Sequence, residues 1–292
     1  MSGPDQDRDT DCGRLIVQGA DRPGIVATVS AVLTEQGANI VALDQSTSDP
    51  SGGRFFQRTV FHLAGLAVRI GRLRAALDAR LGAELGLEFR LVEAKRRKRV
   101  AVFVSRADHC LLDLLWRQRR GELPITIPMV VSNHPDLGDD VRRFGIPFFH
   151  VPVHPERKAA AEKEQLNLLK GNVDLLVLAR YMRILSGGFL DELGVPVVNI
   201  HHSFLPAFIG PGPYERAKER GVKLIGATAH YVTENLDEGP IIEQDVIRVS
   251  HRESVRDLQR KGADVERLVL SRAVAWHCDD RVIRDSDTTV VF

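Results

Sequence analysis

At 292 residues, the chain is long enough for one large domain or for two smaller ones, each with its own core. Its 43% hydrophobic content and formal net charge of +1 are typical of a globular protein and argue against general attraction to nucleic acid or membranes. No apolar run is long enough for a membrane span, the polar N-terminus lacks a secretory pattern, and three widely spaced cysteines fit reduced thiols, so we expect a cytoplasmic location.

The first part of the chain predicts a short tail followed by a small domain. Residues 1–13 are polar and acidic, and we expect them to be disordered. Residues 14–94 then carry the patterns of six elements in the order β-α-β-β-α-β, which predicts a ferredoxin-like sandwich. These elements are strands at Leu15 to Val17, Val41 to Leu43, Phe55 to Leu63 and Leu87 to Val92, a helix after the turn at Asp21 to Gly24, and a helix through Leu73, Leu77 and Leu81.

A basic run at residues 95–99 is predicted to be a solvated linker, and residues 100–292 a second domain. Short apolar runs there alternate with helical patterns, which favours a doubly wound, mostly parallel sheet with helices on both faces. Its predicted strands are Val100 to Val104, Pro128 to Ser132, Phe148 to Val151, Leu175 to Ala179 and Val197 to His201, with helices at His109 to Arg119 and Leu137 to Phe144, a Lys/Glu/Leu-rich helix, and one from Ser186.

The last part of the chain predicts a long hairpin and a closing helix. Residues 224–232 and 241–249 flank a Gly-Pro turn and are expected to pair. A helix from Ser254 to about Trp276 is expected to turn one apolar face inward. The residues assigned to that face are Leu258, Val265, Leu268 and Val269.

Three polar side chains are predicted to meet at one edge of the second sheet. Asn199 and His201 end a short apolar strand and face the same side, whereas His202 faces the other. Asp237 lies in the Gly-Pro turn. An isolated Asn or His at a strand end is more often a loop hydrogen-bonding group. Together, however, an amide, an imidazole and a carboxylate supply two oxyanion donors and a proton carrier, which predicts acyl-transfer chemistry.

Other kinds of site fit the sequence less well. The residues His201, His202, His230 and Asp237 are candidate metal ligands, but no His-x-x-x-His or Cys/His spacing supports a metal, and none is expected. The turn at Ser105 to Cys110 contains no glycine, and no dinucleotide or P-loop fingerprint occurs. We therefore expect no bound cofactor. Cys110 is expected to be a buried structural thiol.

At these residues the sequence resembles a known family. Asn199-Ile200-His201, Leu205-Pro206 and the turn Leu236 to Pro240 resemble the glycinamide ribonucleotide type of folate-dependent formyltransferase. The wider match is to the formyltetrahydrofolate deformylase family, and the small domain resembles an ACT module. The segments that carry it are His109 to Trp116, Ser132 to Pro135, Asn199 to Phe208, Gly226 to Val232, Glu238 to Gln244, Val249 to His251, Thr289 to Phe292, and in the small domain Asp21 to Val26 and Gly37 to Ile40.

The resemblance implies hydrolysis of 10-formyltetrahydrofolate to formate and tetrahydrofolate, which would feed formate to purine synthesis and balance one-carbon folate pools. It assigns Asp237 as general base and Asn199 and His201 as oxyanion donors, with His202 and Ser203 in support. The residues implied to bind the folate are Tyr181, Met182, Arg183, Ile184, Leu185, Val232, Thr233, Asn235 and Leu236. The sequence departs from the family pattern at Gly210 to Tyr214 and at Arg183.

Two other activities are compatible with the sequence. One is a formyltransferase with an unidentified amine acceptor, which the side chains at Arg106 to Cys110 disfavour because they should obstruct a backbone anion site. The other is a folate-binding module that has lost catalysis, which the presence of all three candidate catalytic residues disfavours.

The ACT resemblance also implies an effector site and self-association. The candidate effector residues are Asp21, Arg22, Pro23, Gly24, Ile25 and Asn39, with glycine or methionine as the expected ligand. A homo-oligomer, either a dimer or a tetramer, is expected. A purely structural dimerisation domain is an equally good interpretation of this segment.

Overall fold

A computed structural model describes residues 10–207 and 212–292. The chain divides into two compact units, one of residues up to Arg97 with Asp279–Ile283 and Val290–Phe292, the other of Lys98–Cys278 with Arg284–Thr289. Most of the predicted tail, and Gly210 and Pro211 of the divergent loop, lie outside the described residues. None of the helices in the described ranges has the length and apolar character to cross a bilayer.

The first unit has the predicted β-α-β-β-α-β order. Its four strands form one antiparallel sheet in the order β2-β3-β1-β4, which confirms the ferredoxin-like fold. The elements are β1 (Cys12–Ala20), α1 (Ile25–Glu35), β2 (Asn39–Thr47), β3 (Arg54–His62), α2 (Leu66–Leu77), a π-helical turn (Asp78–Ala83) and β4 (Glu88–Glu93).

Residues near the end of the chain pack against this first sheet. Arg14 on β1 forms ion pairs with Asp279, at 2.8 Å, and with Asp280, whose side chain is fully buried. Ile283 packs into a small apolar cluster with Ile16 on the same strand. The predicted domain limits differ here, because these C-terminal residues group with the first unit rather than with the second.

The second unit is a doubly wound sheet, as predicted. Eight strands take part, seven of them in the order β12-β11-β10-β9-β5-β7-β8, with β6 beside β5. The elements are β5 (Lys98–Val104), α3 (His109–Arg120), β6 (Ile125–Thr126), β7 (Val130–Ser132), α4 (Gly138–Arg143), β8 (Phe148–His150), a 3-10 turn (Pro155–Arg157), α5 (Lys158–Leu169), β9 (Leu175–Ala179), α6 (Gly187–Leu193), β10 (Val197–His201), α7 (Pro213–Arg220), β11 (Leu224–Tyr231), β12 (Ile241–Arg248) and α8 (Val255–Cys278).

The strand directions place the candidate site. From β10 to β8 the neighbouring strands are parallel, and every residue of β5 from Val100 to Val104 and of β9 is buried. Because both faces of these strands are covered by helices, the sequence there is continuously apolar. The predicted hairpin is confirmed, since β11 pairs antiparallel with β12 and also with β10. The carboxyl ends of β5, β9 and β10 therefore meet at one edge.

Several elements differ from the sequence interpretation. Helix α7 was not predicted, although Pro213 at its first turn and Gly221 after its end are typical helix boundaries. The short strands β13 (Val282–Asp285) and β14 (Thr288–Val291) were also missed. In the basic run, Lys98 begins β5 instead of lying in a linker. Leu268 was assigned to the buried face of α8 but is 47% exposed, so that assignment was wrong.

Candidate active site

Strand β10 ends with the two polar residues that the sequence singled out. Asn199 is the Cα partner of His230 on β11, and its Nδ2 lies 3.2 Å from His230 Nε2. The Nδ1 atom of His230 donates to the carbonyl oxygen of Tyr231 at 2.9 Å, because a carbonyl can only accept. In the neutral ring Nε2 is then an acceptor, and the Asn199 amide donates to it. The antiparallel register thus fixes the orientation of the Asn199 side chain.

The loop after β11 carries Asp237 back to the end of β10. Asp237 has a positive φ of 58°, a left-handed conformation that a non-glycine residue adopts at some cost. Gly239 packs so closely on β11 that a Cβ atom there would lie 1.8 Å from the carbonyl oxygen of Tyr231. The loop can therefore close only with glycine at this position, which accounts for the Gly-Pro turn.

Asp237 is held between two histidines. Its Oδ2 lies 3.2 Å from Nδ1 of His201, and its Oδ1 lies 3.7 Å from Nε2 of His230. Burial acts to raise the pKa of Asp237, but the neighbouring rings of His201 and His230 favour its charged form, outweigh the effect of burial and hold the pKa well below its usual range. The carboxylate is therefore ionised at neutral pH and is a weak base.

His201 is the side chain best placed to move a proton. Its Nδ1 faces the Asp237 carboxylate, which fixes the ring tautomer and orientation. Within residues 10–207 and 212–292, its Nε2 has no hydrogen-bond partner. The ring is 6% exposed and lines a cavity with Asn199 and Asp237. This arrangement leaves one ring nitrogen available to a small molecule bound in the cavity.

The structure brings the predicted folate-binding residues to this same cavity, which has a volume of about 270 Å³. Met182, Ile184 and Leu236 are each more than half exposed and form an apolar rim. Tyr181 differs, because its ring packs edge-on against Phe103 and its hydroxyl accepts from Gln165 in the core. The other predicted residues along the wall are Arg183, Leu185, Val232, Thr233 and Asn235.

The two supporting residues are placed differently from one another. The sequence predicted that His202 faces the opposite side of the sheet from Asn199 and His201. His202 nevertheless lines the same cavity, because the chain bends at the end of the strand. Its ring centroid lies 5.3 Å from that of His201. Ser203 does not line the cavity, and its hydroxyl donates to the carbonyl oxygen of Ala207 within the following turn. The structure therefore gives Ser203 a role in loop conformation.

His202 should make stability depend on pH. Burial, followed by the nearby positive charge of Arg180, lowers its pKa from 6.5 to about 4. Below pH 6.5 the unfolded chain binds a proton that the folded chain resists, so stability falls as pH decreases toward 4. At pH 5 this costs about 2 kcal/mol. Urea unfolding measures the free energy of unfolding at pH 7 and pH 5. This free energy should fall less between the two pH values in His202→Asn than in wild type, and an equal fall would contradict the prediction.

A second polar cluster, which the sequence did not reveal, includes Arg180 and is centred on Glu266. Glu266 on α8 is 2% exposed; its Oε1 accepts from the Tyr214 hydroxyl at 2.7 Å and its Oε2 lies 2.8 Å from Nε2 of His109. Nε of Arg180 is 3.5 Å from the same Oε2. Burial acts to raise the pKa of Glu266, but its bonding to His109 and the charge of Arg180 lower it to about 2. We call these four residues the Glu266 cluster.

Two residues of the Glu266 cluster, together with the adjacent Cys110, are possible metal donors. Atoms of His109, Cys110 and Glu266 lie within 4.8 Å of one another. However, burial and the negative charge of Glu266 raise the pKa of the Cys110 thiol, and Arg180 already places a positive charge beside the carboxylate. A metal needs the thiolate and would be repelled by the guanidinium, so the donor set favours an internal ion network.

One glycine makes the Glu266 cluster possible. A Cβ atom at Gly262 on α8 would lie 1.9 Å from the Tyr214 hydroxyl, so Gly262→Ala should push Tyr214 away from Glu266. We expect the free energy of unfolding to fall by about 1–3 kcal/mol. Gly188→Ala is the control, because Gly188 also lies in a helix but has open space around it, and it should be neutral or slightly stabilising. Denaturant unfolding compares the two, and equal stabilities would contradict the prediction.

The candidate effector residues lie in the first unit, at the turn between β1 and α1 and at the start of β2. Oδ2 of Asp21 accepts from the Thr47 hydroxyl at 2.7 Å, and Asn39 is exposed. Gly24 has a φ of 95° as it begins α1. Arg22 and Pro23 are exposed, but the side chain of Ile25 is 1% exposed and belongs to the core. The turn could present backbone groups to a ligand, whereas Ile25 could not contribute its side chain.

Both halves of the chain match known domain families. The formyl transferase model matches residues 98–274, and the ACT domain model matches residues 13–78. These two matches correspond to the doubly wound unit and to the ferredoxin-like unit.

Curated relatives match along nearly the whole chain. A formyltetrahydrofolate deformylase from Mycobacterium tuberculosis strain H37Rv is 59% identical over 282 residues, covering 97% of this chain and 91% of the relative. Another from Bacillus subtilis is 50% identical over 288 residues, covering 98% and 96%. These alignments span both domains of this chain.

Solved structures support the same relationship. A formyltetrahydrofolate deformylase from Pseudomonas syringae has a TM-score of 0.92 and 44% identity, covering 96% of this chain and 94% of that one. A glycinamide ribonucleotide transformylase from Symbiobacterium toebii has a TM-score of 0.64 and 31% identity, covering 67% of this chain and 94% of that one. The transformylase thus matches a smaller share of this chain than the deformylase does.

Proposed function

Since the chain belongs to the formyltetrahydrofolate deformylase family, we propose that it hydrolyses 10-formyltetrahydrofolate to formate and tetrahydrofolate. The observation that carries this proposal is the convergence of Asn199, His201 and Asp237 on one cavity with an apolar rim. A planar pterin ring fits such a rim, and the polar end of the cavity would face the formyl group.

The proposed reaction begins with a water molecule beside His201. The free Nε2 of His201 takes a proton from the water as the hydroxide oxygen bonds to the formyl carbon. Asn199 has a second amide hydrogen besides the one it gives to His230, and it donates that hydrogen to the developing oxyanion. The C–N10 bond then breaks as His201 returns its proton to N10, which releases tetrahydrofolate and formic acid, ionised to formate at neutral pH.

This scheme assigns Asp237 differently from the sequence hypothesis, in which Asp237 removes the proton and His201 only donates. The lowered pKa of Asp237 makes direct proton removal unfavourable. Instead, we propose that the carboxylate holds Nδ1 of His201 and stabilises the ring when it becomes protonated. His230, which the sequence suggested only as a metal ligand, is proposed to orient Asn199.

Asn199→Ala should slow hydrolysis by about a hundredfold to a thousandfold, the usual cost of removing one oxyanion donor. The loss should appear in kcat more than in KM, because the hydrogen bond strengthens only as charge develops. Asn172→Ala removes the same group from an exposed position and is the control. Steady-state kinetics with 10-formyltetrahydrofolate measures both, and unchanged turnover in Asn199→Ala would count against this role.

One assay separates hydrolysis from the two alternatives. The protein is incubated with 10-formyltetrahydrofolate alone, and formate and tetrahydrofolate are quantified. We expect stoichiometric release of both products without an acceptor. Loss of substrate only after an amine is added would instead indicate a formyltransferase, and binding without turnover would indicate a non-catalytic folate module.

The ACT domain is proposed to bind glycine or methionine near Asp21 and Asn39, and so to adjust the rate at which formate is supplied to purine synthesis. Isothermal titration with each amino acid, together with rate measurements, tests this. Heat and a rate change support the proposal, whereas neither would favour a structural domain. The expected dimer or tetramer remains a prediction that light scattering would test.

A further inference from the structure

The loop that carries Asp237 depends on the residues at its two ends. Residues 232–240, all of which the structure describes, join β11 to β12 without a helix or strand, and we call them the Asp237 loop. The middle of this loop, at residues 234–236, is exposed. The left-handed φ of 58° at Asp237 is a conformation that persists only where the surrounding structure imposes it. Contacts at the ends of the loop therefore help to hold this conformation.

The first end of the Asp237 loop is held by Tyr231. This residue is 1% exposed, and its hydroxyl lies 2.7 Å from Nδ1 of His277 near the end of α8. The guanidinium carbon of Arg284 lies 5.0 Å from the centre of the Tyr231 ring, within the range of a cation–π interaction. The backbone N–H of Tyr231 donates to the carbonyl oxygen of Pro240 at 2.9 Å. Tyr231 thus joins the start of the loop to its last residue.

The second end of the Asp237 loop is held by Thr289. The Thr289 hydroxyl donates to the carbonyl oxygen of Ile241, the residue that directly follows the loop. Arg284 lies on β13 and Thr289 on β14, and these two strands pair with each other. Residues Arg284–Thr289 group with the second unit, whereas the residues immediately before and after them group with the first. We call Arg284–Thr289 the hairpin tip, and it contacts both ends of the loop.

Tyr231 also connects the hairpin tip to the reacting groups. Its carbonyl oxygen accepts from Nδ1 of His230 at 2.9 Å, which leaves Nε2 of His230 to accept from the Asn199 amide. A displacement of Tyr231 would therefore disturb both the partner of Asn199 and the Asp237 loop. Of the described residues that line the reaction cavity, none belongs to the hairpin tip. The tip can therefore act on the reaction only through the residues that it holds.

We propose that Arg284 and Thr289 are positioning residues: from the hairpin tip they hold both ends of the Asp237 loop in the conformation that binds the folate, and they thereby set the apparent affinity for substrate. The effect on substrate rests on the proposed deformylase function. The effect on the loop does not, because the order of the loop can be measured without any folate present.

The first test measures backbone hydrogen exchange by mass spectrometry without substrate. The double variant Arg284→Met/Thr289→Val removes the charge and the hydroxyl while keeping side chains of similar size. Thr288→Val is the control, because the Thr288 hydroxyl donates to Asp285 within the hairpin tip.

Peptides that span residues 231–240 contain the Tyr231 and Val232 amides, which donate to Pro240 and Val197. These peptides should exchange about tenfold faster in the double variant than in wild type or the control, because the loop opens locally. Exchange in helix α3 should be unchanged. Equal exchange in the loop would overturn the proposal, as would faster exchange in α3 as well, which would indicate a general loss of stability.

The second test is steady-state kinetics with 10-formyltetrahydrofolate. In the double variant KM should rise about threefold to tenfold while kcat changes less than about threefold, because bound folate selects the closed loop. A smaller folded fraction would instead lower kcat and leave KM unchanged. The conservative double variant Arg284→Lys/Thr289→Ser keeps the charge and the hydroxyl and should have a KM close to that of wild type.

Unchanged KM in a folded Arg284→Met/Thr289→Val protein would overturn the positioning role, and so would a KM equally raised in the conservative variant. A failure of the deformylase proposal would appear differently, as wild type releasing no formate, and the exchange measurement would still decide whether the hairpin tip orders the loop.

Discussion

Asp237→Asn should leave a folded protein that is almost inactive, with kcat reduced by up to about 10⁴-fold. The same change in the Asp–His pair of serine proteases has an effect of that size, because the amide no longer holds the ring in the required tautomer. Here the geometry is equivalent, since Oδ2 of Asp237 faces Nδ1 of His201 at 3.2 Å. An amide at this position could donate its own hydrogen to Nδ1 and so leave the proton on Nε2, where the water must be deprotonated.

The matched control is Glu238→Gln, an adjacent exposed carboxylate that does not line the cavity. It should retain wild-type kinetics. Folate binding by Asp237→Asn, followed by fluorescence, should change far less than kcat, and thermal unfolding should remain cooperative. A kcat within tenfold of wild type would contradict the proposed Asp237–His201 pair.

His201→Ala should reduce kcat by about 10²- to 10⁴-fold, the range expected for removing a general acid–base group. The ring of His201 is buried and its Nε2 has no partner among the described residues, so truncation leaves space at the end of the cavity. Added imidazole should therefore restore part of the activity. His251→Ala, at an exposed turn, is the control and should keep wild-type activity with or without added imidazole.

Imidazole rescue of His201→Ala also distinguishes whether His201 or Asp237 removes the proton from water. If His201 only donated to the oxyanion and Asp237 removed the proton, imidazole would not restore a pH-dependent base in His201→Ala. Recovery that increases with the fraction of neutral imidazole supports proton transfer by His201. Equal recovery at every pH would support the original assignment of Asp237 as the base.

Local sequence patterns predicted most of the fold, because the residue preferences of strands, helices and turns act over a few neighbouring positions. A continuous apolar run predicted β9, and the apolar residues between Val197 and His201 predicted β10, both with their observed limits; every residue of β9 is buried, as is every residue of β10 except Asn199. The Gly-Pro turn predicted the hairpin that carries Asp237. Helix α7 was missed because its start follows a loop of glycines and prolines that also fits an irregular turn. Leu268 was misplaced because the helical period alone does not fix the width of a buried face.

By itself, the sequence determined the two domain types and the three polar residues at one sheet edge, because strand ends and turn chemistry are encoded within a few neighbouring positions. Only the tertiary structure decided what those residues contact. His230 lies 31 positions after Asn199 and meets it through the register of two antiparallel strands. Glu266 lies 157 positions after His109 and reaches it from a different helix. Such contacts depend on how distant elements pack, which no local pattern specifies.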